Sequence, residues 1–393
     1  LDGDNVISGN SNKGIGIDNA SGNLITGNFI GTKANGTDAL GNGGAGVSLY
    51  DATDNIVGFD INDFGAANTI AFNAGAGVEV ETGTVAPGTG NVIRRNSVHG
   101  NGALGIDLAP NGVTGVTPND AGDSDTGPNN LQNFPVITGA TVAGATRHIN
   151  GTLNSTPGQA FTIDFYANPA GSCDPSGNGE GQTYLGSATT AATDGNGDVS
   201  FTFNPPSLTP GDVITATATD AAGNTSEFSA CFNAAAGSPG QIQFTDATYA
   251  VAENGASAAI TFTRSGGQDG AVFATFSTSD GTANAPGDYT ATTADVSYAD
   301  GESGTKTINV PINDDTTYEG DETVSLSLTA TTLDAPPPPA SPAQSTATLT
   351  ISENDAAPTL SIDDVTHNEG DAGTTSYVFT VTKSGSTALD ASV

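Results

Sequence analysis

The stretch NVIRRNSVHGNGALGIDL, residues 91–108, decides the fold of the first part of this chain, because both of its short motifs recur upstream. Its opening N-x-I/V pattern, Asn91-Val92-Ile93, also stands at Asn5-Val6-Ile7, Asn23-Leu24-Ile25, Asn55-Ile56-Val57 and Asn68-Thr69-Ile70. A second asparagine often follows five residues after the first, at Asn10, Asn28, Asn73 and Asn96. The closing GIDL has counterparts in GIGI (residues 14–17), GVSL (46–49) and GVEV (77–80). Each motif is a short strand with one apolar face, and the set returns at intervals of roughly 20 to 30 residues, as stacked coils do. One coil cannot bury its Ile and Val alone; stacking on the next coil does so. The pattern predicts a right-handed parallel β-helix over residues 1–133, with asparagines at equivalent turns hydrogen-bonded into ladders.

Composition points to an all-β protein throughout. The 393 residues include 53 Gly and 20 Pro, with many Asn, Asp and Thr, a set that favours tight turns and short strands over helices. Residues 117–135, TPNDAGDSDTGPNNLQNFP, break the coil pattern and close the solenoid. Beyond them INGTL, FTIDFYAN, TYLGSAT, VSFTFN and ITATATD alternate between Gly, Pro and Asp turns, as strands of an Ig-like (immunoglobulin-like) β-sandwich over residues 134–235. The Ala, Gly, Ser and Pro of residues 234–240 read as a linker. Residues 241–356 read as a second sandwich in tandem, with the proline run 336–339 outside any central strand. Residues 358–393 begin a third, and because FTVTKSGSTALDASV stops inside a strand pattern, a parent protein is expected to continue beyond Val393. Cys173 and Cys231 lie far apart in sequence within one expected domain. A disulfide between them is expected, and with it an extracellular setting.

The formal charge of −35 arises from 43 acidic against 8 basic residues, so the unusual quantity is the shortage of Lys and Arg. Such a chain cannot neutralise phosphates by counterion release and is repelled by anionic lipid surfaces. Its apolar runs fall far short of a bilayer span. Nucleic-acid binding and membrane insertion are therefore not expected; metal ions and neutral or cationic surfaces remain as partners.

The segment NDDTTYEGDE, residues 313–322, concentrates Asp314, Asp315, Glu319, Asp321 and Glu322 where almost no cation is near in sequence. Repulsion among carboxylates this dense is best relieved by a hard divalent ion with flexible all-oxygen coordination, which points to calcium. The surrounding text, FTDATYAVAENG, ITFTRSGG, FSTSDGTANAPGDYT, VSYADGESGTKTINVPINDDTTYEGDETVSLSL and TATLTISENDAAP, resembles a Calx-β domain. This is the Ig-like module of sodium/calcium exchangers and many bacterial surface proteins. The resemblance implies that Ca2+ ligands gather at one tip of the sandwich: Glu253, Asp288, Asp314, Asp315, Glu319, Glu322, Glu353 and Asp355. For an extracellular module the expected affinity is on the order of 10⁻⁴ to 10⁻³ M. TLSIDDVTHNEGDAGTTSYVFTVTKSG resembles the first strands of another copy, its Glu369 matching Glu253, and Asp363 and Asp364 are placed to share an ion with Asp355 between the tandem domains.

Two further groups bear on function. NDAGDSDTGPN, residues 119–129, offers Asp120, Asp123 and Asp125 on a Gly-rich loop. It is a second candidate metal loop, although its spacing departs from the EF-hand pattern and an Asx-turn network without an ion fits it too. The coils offer Lys13, Lys33, Arg94, Arg95 and His99 for a lyase. For a hydrolase they offer Asp18, Asp51, Glu79, Glu81 and Asp107, since that chemistry needs paired carboxylates about 5 to 10 Å apart. Glu79 and Glu81 point to one side of one strand. Nucleophile elbows, phosphate loops and Cys/His metal spacings are absent from the sequence, and the coil acids read as a solvated face. No catalytic residue is assigned, and no enzyme is expected.

The coils followed by VITGATVAGATRHINGTLNS and ITATATDAAGNTSEFS also resemble the β-helix plus Ig-like ending of large secreted bacterial proteins. The expectation is a secreted, cell-surface or matrix protein of structural or adhesive type. In it calcium rigidifies tandem β domains, and exposed strand edges allow self-association. The alternative is a β-helix that binds or cleaves a glycan, carried on Calx-β spacers.

Overall fold

The computed structural model describes residues 5–83, 88–330, 344–368 and 370–388; the proline run 336–339 and Glu369 lie outside the described residues. Strands dominate, and one short 3-10 turn, Pro128–Leu131, is the helical element among the described residues. The chain divides into two compact units, residues 1–237 and 238–393.

In the first unit, three parallel sheets are built from strands of two to five residues. Val6–Ile7, Phe29–Ile30, Thr69–Ala71 and Ser97–His99 form one sheet. Ile15–Asp18, Val47–Tyr50, Val78–Thr82 and Ile106–Pro110 form the second, and Leu24–Ile25, Ile56–Gly58 and Val92–Arg94 the third. The chain visits the three sheets in rotation, so every strand pairs with its counterpart one coil away. Ile30, Leu49, Val57, Ile70, Val80 and Leu108, all 0 % exposed, fill the space the sheets enclose. That burial explains why strands too short to stand alone are stable in a stack.

Asparagines close the turns in three ladders: Asn5–Asn28–Asn68–Asn96, Asn10–Asn42–Asn73–Asn101 and Asn23–Asn55–Asn91. Each Nδ2 donates to the Oδ1 of the next coil at 2.8–3.0 Å. The same Oδ1 also accepts the backbone N–H of the preceding rung, as Asn68 Oδ1 does for Asn28 and Asn101 Oδ1 for Asn73. A buried turn is thereby left with no unpaired amide, which only a side chain carrying both donor and acceptor achieves. Packing at these turns also requires glycine. Gly31 and Gly58 sit at φ +88 and +92, and a Cβ there would lie 2.0 Å from Ala71 O and 2.2 Å from Arg94 O.

A sandwich completes this unit. One sheet holds Asp198–Phe203, Thr146–Asn154, Val136–Ala143 and Ala235–Ala236; the other holds Thr183–Thr189, Thr162–Asn168, Val213–Thr219 and Phe232–Asn233. Ile149, Ile163, Phe165, Ile214 and Ala216 form its core. Part of the expected linker is therefore sheet, because Ala234 is buried in the core and Ala235 and Ala236 pair in parallel with Thr141 and Val142. Cys173 and Cys231 form the expected disulfide, their Cα atoms 6.0 Å apart. The sandwich is joined to the coils by a bidentate ion pair, Arg94 Nε to Asp164 Oδ2 at 2.9 Å and Nη2 to Oδ1 at 3.0 Å, with both side chains at most 2 % exposed. Segments 178–182 and 224–229 of the sandwich cover the end of the coils, where buried amides take their partners from them.

In the second unit, Gln241–Phe244, Ser257–Ser265 and Thr305–Pro311 face a five-stranded sheet in the order Thr248–Ala252, Thr346–Ser352, Glu322–Ala330, Val272–Asp280, Thr293–Tyr298. Phe244, Ile260, Phe262, Phe276, Tyr298, Val310 and Leu349 interlock between the sheets. The remaining strands, Thr359–Ile362 and Val381–Ser384, form an exposed antiparallel hairpin.

Candidate metal centre

Strand pairing in the second unit brings distant acids to one pole. Thr248–Ala252 runs parallel to Thr346–Ser352 with Ala252 opposite Ser352, so Glu253 and Glu353 leave the sheet side by side. Glu253 is held there by its N–H to Ser352 O at 2.9 Å. The neighbouring strand runs antiparallel and begins at this pole, with Glu322 opposite Ile351. Asp280 pairs with Val324, which delivers the 281–292 loop and its Asp288 to the same end.

Two carboxylate triads result. Glu253, Glu353 and Asp355 bring one oxygen each within 4.8 Å of one another, and so do Asp288, Glu319 and Glu322. Like charges at that range repel by about 3 kcal/mol per pair at an effective dielectric near 20. Among the described residues no lysine or arginine pairs with any of these six. The acids respond as crowded groups do. Burial, with the Glu353 and Asp355 charges added, pushes Glu253 up to about 7, and it is 8 % exposed. Burial together with Asp288, Glu319 and Glu253 pushes Glu322 up to about 7, so the two triads sense each other. Glu319 is raised by burial and by Asp288, Asp315 and Glu353.

Glu353 behaves oppositely. Burial works against its charge, yet the backbone N–H groups of Glu319, Asp355, Gly320 and Asn354 outweigh that and hold it down to about 2. Its Oε1 accepts from Asp355 N at 2.6 Å and its Oε2 from Gly320 N at 2.9 Å. It thus fixes the loop that presents Glu319. Asp355, beside it, has a buried Oδ2 with no hydrogen-bond partner.

The eight residues named from sequence do not play equal parts. Asp314 and Asp315 fall outside both triads, although their charges reach Asp355 and the Asp315 N–H donates to Glu253. Asp315 Oδ1 turns back to Thr317 N. Two organising acids stand outside the implied ligand set: Asp321, already counted in the acidic segment, and Asp280, which sequence reasoning missed. Asp321 Oδ1 accepts Glu353 N at 3.0 Å, and Asp280 Oδ1 accepts Ala285 N at 3.0 Å and Tyr289 Oη at 2.7 Å, which shapes the loop bearing Asp288. The DGTANAPGDY spacing around Asp280 was the available signal. Asp363, expected to share an ion with Asp355, accepts Thr380 N at 2.7 Å inside its own hairpin.

In the first unit, Asp120, Asp123 and Asp125 form a third triad with oxygens within 4.8 Å. Burial pushes Asp123 up to about 6 against its bonds from Ser155 and Asn133, and Asp125 Oδ1 is buried without a partner. Among the coil acids, Glu79 stands in register with Asp107. Asp107 is 1 % exposed beneath Gly115, and its burial pushes it up to about 6, so it is sealed off from solvent.

The fold and pole of the second unit define an acid-tipped Ig-like β-sandwich. Residues 236–355 match the family model of the Calx-beta domain, and this part of the chain is a Calx-beta domain. Among solved structures, the apo-form Calx CBD1 domain is similar at 23 % identity, over 29 % of this chain and 96 % of that one, with a TM-score of 0.26. The calcium binding domain CBD12 of CALX1.1 is similar at 22 % identity over 33 % of this chain, which spans 54 % of that structure, with a TM-score of 0.27. The Calx CBD2 domain is similar at 20 % identity, over 28 % and 85 %, with a TM-score of 0.26. No curated protein matches the chain. No helix among the described residues is long and apolar enough to cross a membrane.

Proposed function

We propose that this chain is an extracellular calcium-binding structural or adhesive protein in which Ca2+ stiffens tandem β domains. The observation that carries the reading is the presence of two carboxylate triads at one pole, free of any cationic partner among the described residues, the first of them holding the unpartnered Asp355 Oδ2. Glu253, Glu353 and Asp355 would hold one ion and Asp288, Glu319 and Glu322 another, with Asp314 and Asp315 adding negative potential. Oxygen-only ligands from separate loops suit calcium's flexible coordination. The disulfide fits an oxidising compartment, and hence secretion or the cell surface. We read the three rotating parallel sheets as coils of a right-handed parallel β-helix, whose role here is that of a scaffold. The Asp120, Asp123 and Asp125 loop is a second candidate for the same ion, favoured by the buried, unpartnered Asp125 Oδ1.

Calorimetric titration of the chelator-treated chain with Ca2+ tests this. Binding should appear below about 1 mM and should weaken about ten-fold or more in Glu322→Gln and Glu253→Gln. The reading fails if wild type takes up no calcium, or if both substitutions leave binding unchanged.

A further inference from the structure

The coils end at three open sheet edges, and one part of the sandwich closes all of them. Glu180, 8 % exposed, occupies the place of the next asparagine in a ladder: its Oε1 accepts both Asn101 N and Asn101 Nδ2 at 3.0 Å, and its Oε2 accepts Gly100 N. Next to it, Gly181 exchanges two backbone hydrogen bonds with Val98, at 2.8 and 2.9 Å. The second edge is closed by Glu227, whose carboxylate accepts Leu108 N at 3.1 Å and Thr117 N at 3.0 Å. At the third, Thr225 Oγ1 accepts Ile93 N at 3.0 Å and Asn224 Oδ1 accepts Gly90 N at 2.7 Å. The ring of Phe228 lies over Gly105, where a Cβ would meet it at 2.8 Å.

These caps come from two chain segments, 178–182 and 224–229, that are far apart in sequence and bound to each other. Gly179 N donates to Ser229 O at 3.0 Å, Asn178 Nδ2 to Phe228 O at 2.9 Å and Cys231 N to Gly177 O at 3.0 Å. The disulfide Cys173–Cys231 joins the chain just before the first segment to the chain just after the second, and Cys173 lies on an exposed loop within reach of a soluble thiol. The rest of the sandwich has its own attachment to the coils through Arg94 and Asp164 and its own core, neither of which involves the disulfide.

We infer that Cys173–Cys231 is a redox latch on this plug, so that its reduction frees the edges of the last coil while the remainder of the unit stays folded. The step is a two-electron exchange. A small dithiol attacks one sulfur, the S–S bond breaks, Cys173 and Cys231 each end as a thiol, and the dithiol leaves as its own disulfide. The loosened 178–182 segment then gives up Val98, Gly100 and Asn101, and 224–229 gives up Leu108.

Hydrogen exchange read by mass spectrometry on the intact chain, before and after dithiothreitol treatment without denaturant, tests the latch. Thiol counting verifies reduction. Peptides covering residues 97–109 should exchange about ten-fold faster or more in the reduced protein, while those covering 69–80 and 162–168 keep their protection. A Cys173→Ser/Cys231→Ser variant should match the reduced wild type; the in situ reduction stands by itself if that variant does not fold. Unchanged protection at 97–109 in the fully reduced chain would overturn the inference. So would a uniform loss of protection across residues 5–237, because the disulfide would then be a general staple and not a local latch.

Discussion

Calcium added to the metal-free chain at pH 7 should expel about one proton per chain, because two of the ligands it needs are half-protonated there. Glu253 and Glu322 are both pushed up to about 7 by burial and by their acidic neighbours. Each therefore carries about 0.5 proton at pH 7 and about 0.1 at pH 8, and must be stripped to bind the ion. Total release should thus fall from about 1 to about 0.2 over that interval, and apparent affinity should rise accordingly. The same values set the sign of stability. A carboxyl raised in the folded state favours folding below its unfolded value near 4.5 and loses that contribution as pH climbs through about 7. The calcium-free unit should therefore weaken between pH 5 and 8, and calcium should reverse the slope. Unbuffered titration with an indicator dye, or calorimetry in buffers of different ionisation enthalpy, measures the release directly, and Glu322→Gln should halve it. Equal release at pH 7 and pH 8, or none at either, would refute the argument that crowding and burial hold protons on this tip.

Three more outcomes follow from the packing. Glu353→Gln removes the charge that gathers the backbone N–H groups of Glu319, Gly320 and Asp355, so denaturant unfolding in chelator should show a loss of about 1–3 kcal/mol. Since Glu353 sits near 2 in the folded state, its contribution is present above pH 4.5 and should fade as pH falls toward 2. Arg94→Met strands the buried Asp164 and should lower the stability of the first unit by about 3–5 kcal/mol, with much of that recovered by adding Asp164→Leu in a double-mutant cycle. Asn73→Ala breaks a rung that bonds Asn42, Asn101 and two carbonyls and should cost about 2 kcal/mol or more in the same assay, because the partners are buried.

Much of this was legible without coordinates where the cause is local and periodic. N-x-I/V followed by a second asparagine encodes an apolar strand and a self-pairing turn, and both depend on what the side chain is, not on what it meets. The acid-rich text around residues 313–322 likewise announced a charged tip. What the chain could not disclose on its own was how the acids divide. In sequence Asp314 and Asp315 are acidic residues like Glu253 and Glu353, yet only the parallel register of Ala252 with Ser352 decides that the glutamates meet and the two aspartates flank them. The plug is the same case. Glu180 and Glu227 look like ordinary surface acids in sequence, and they become caps because folding sets them against amides from coils roughly 80 and 120 residues away. Periodic pattern is a property of neighbours along the chain, and sequence alone determined the strands, the ladders and the acidic tip. The pairing of distant carboxylates with each other or with open backbone edges is settled by long-range register, which only the tertiary structure decides.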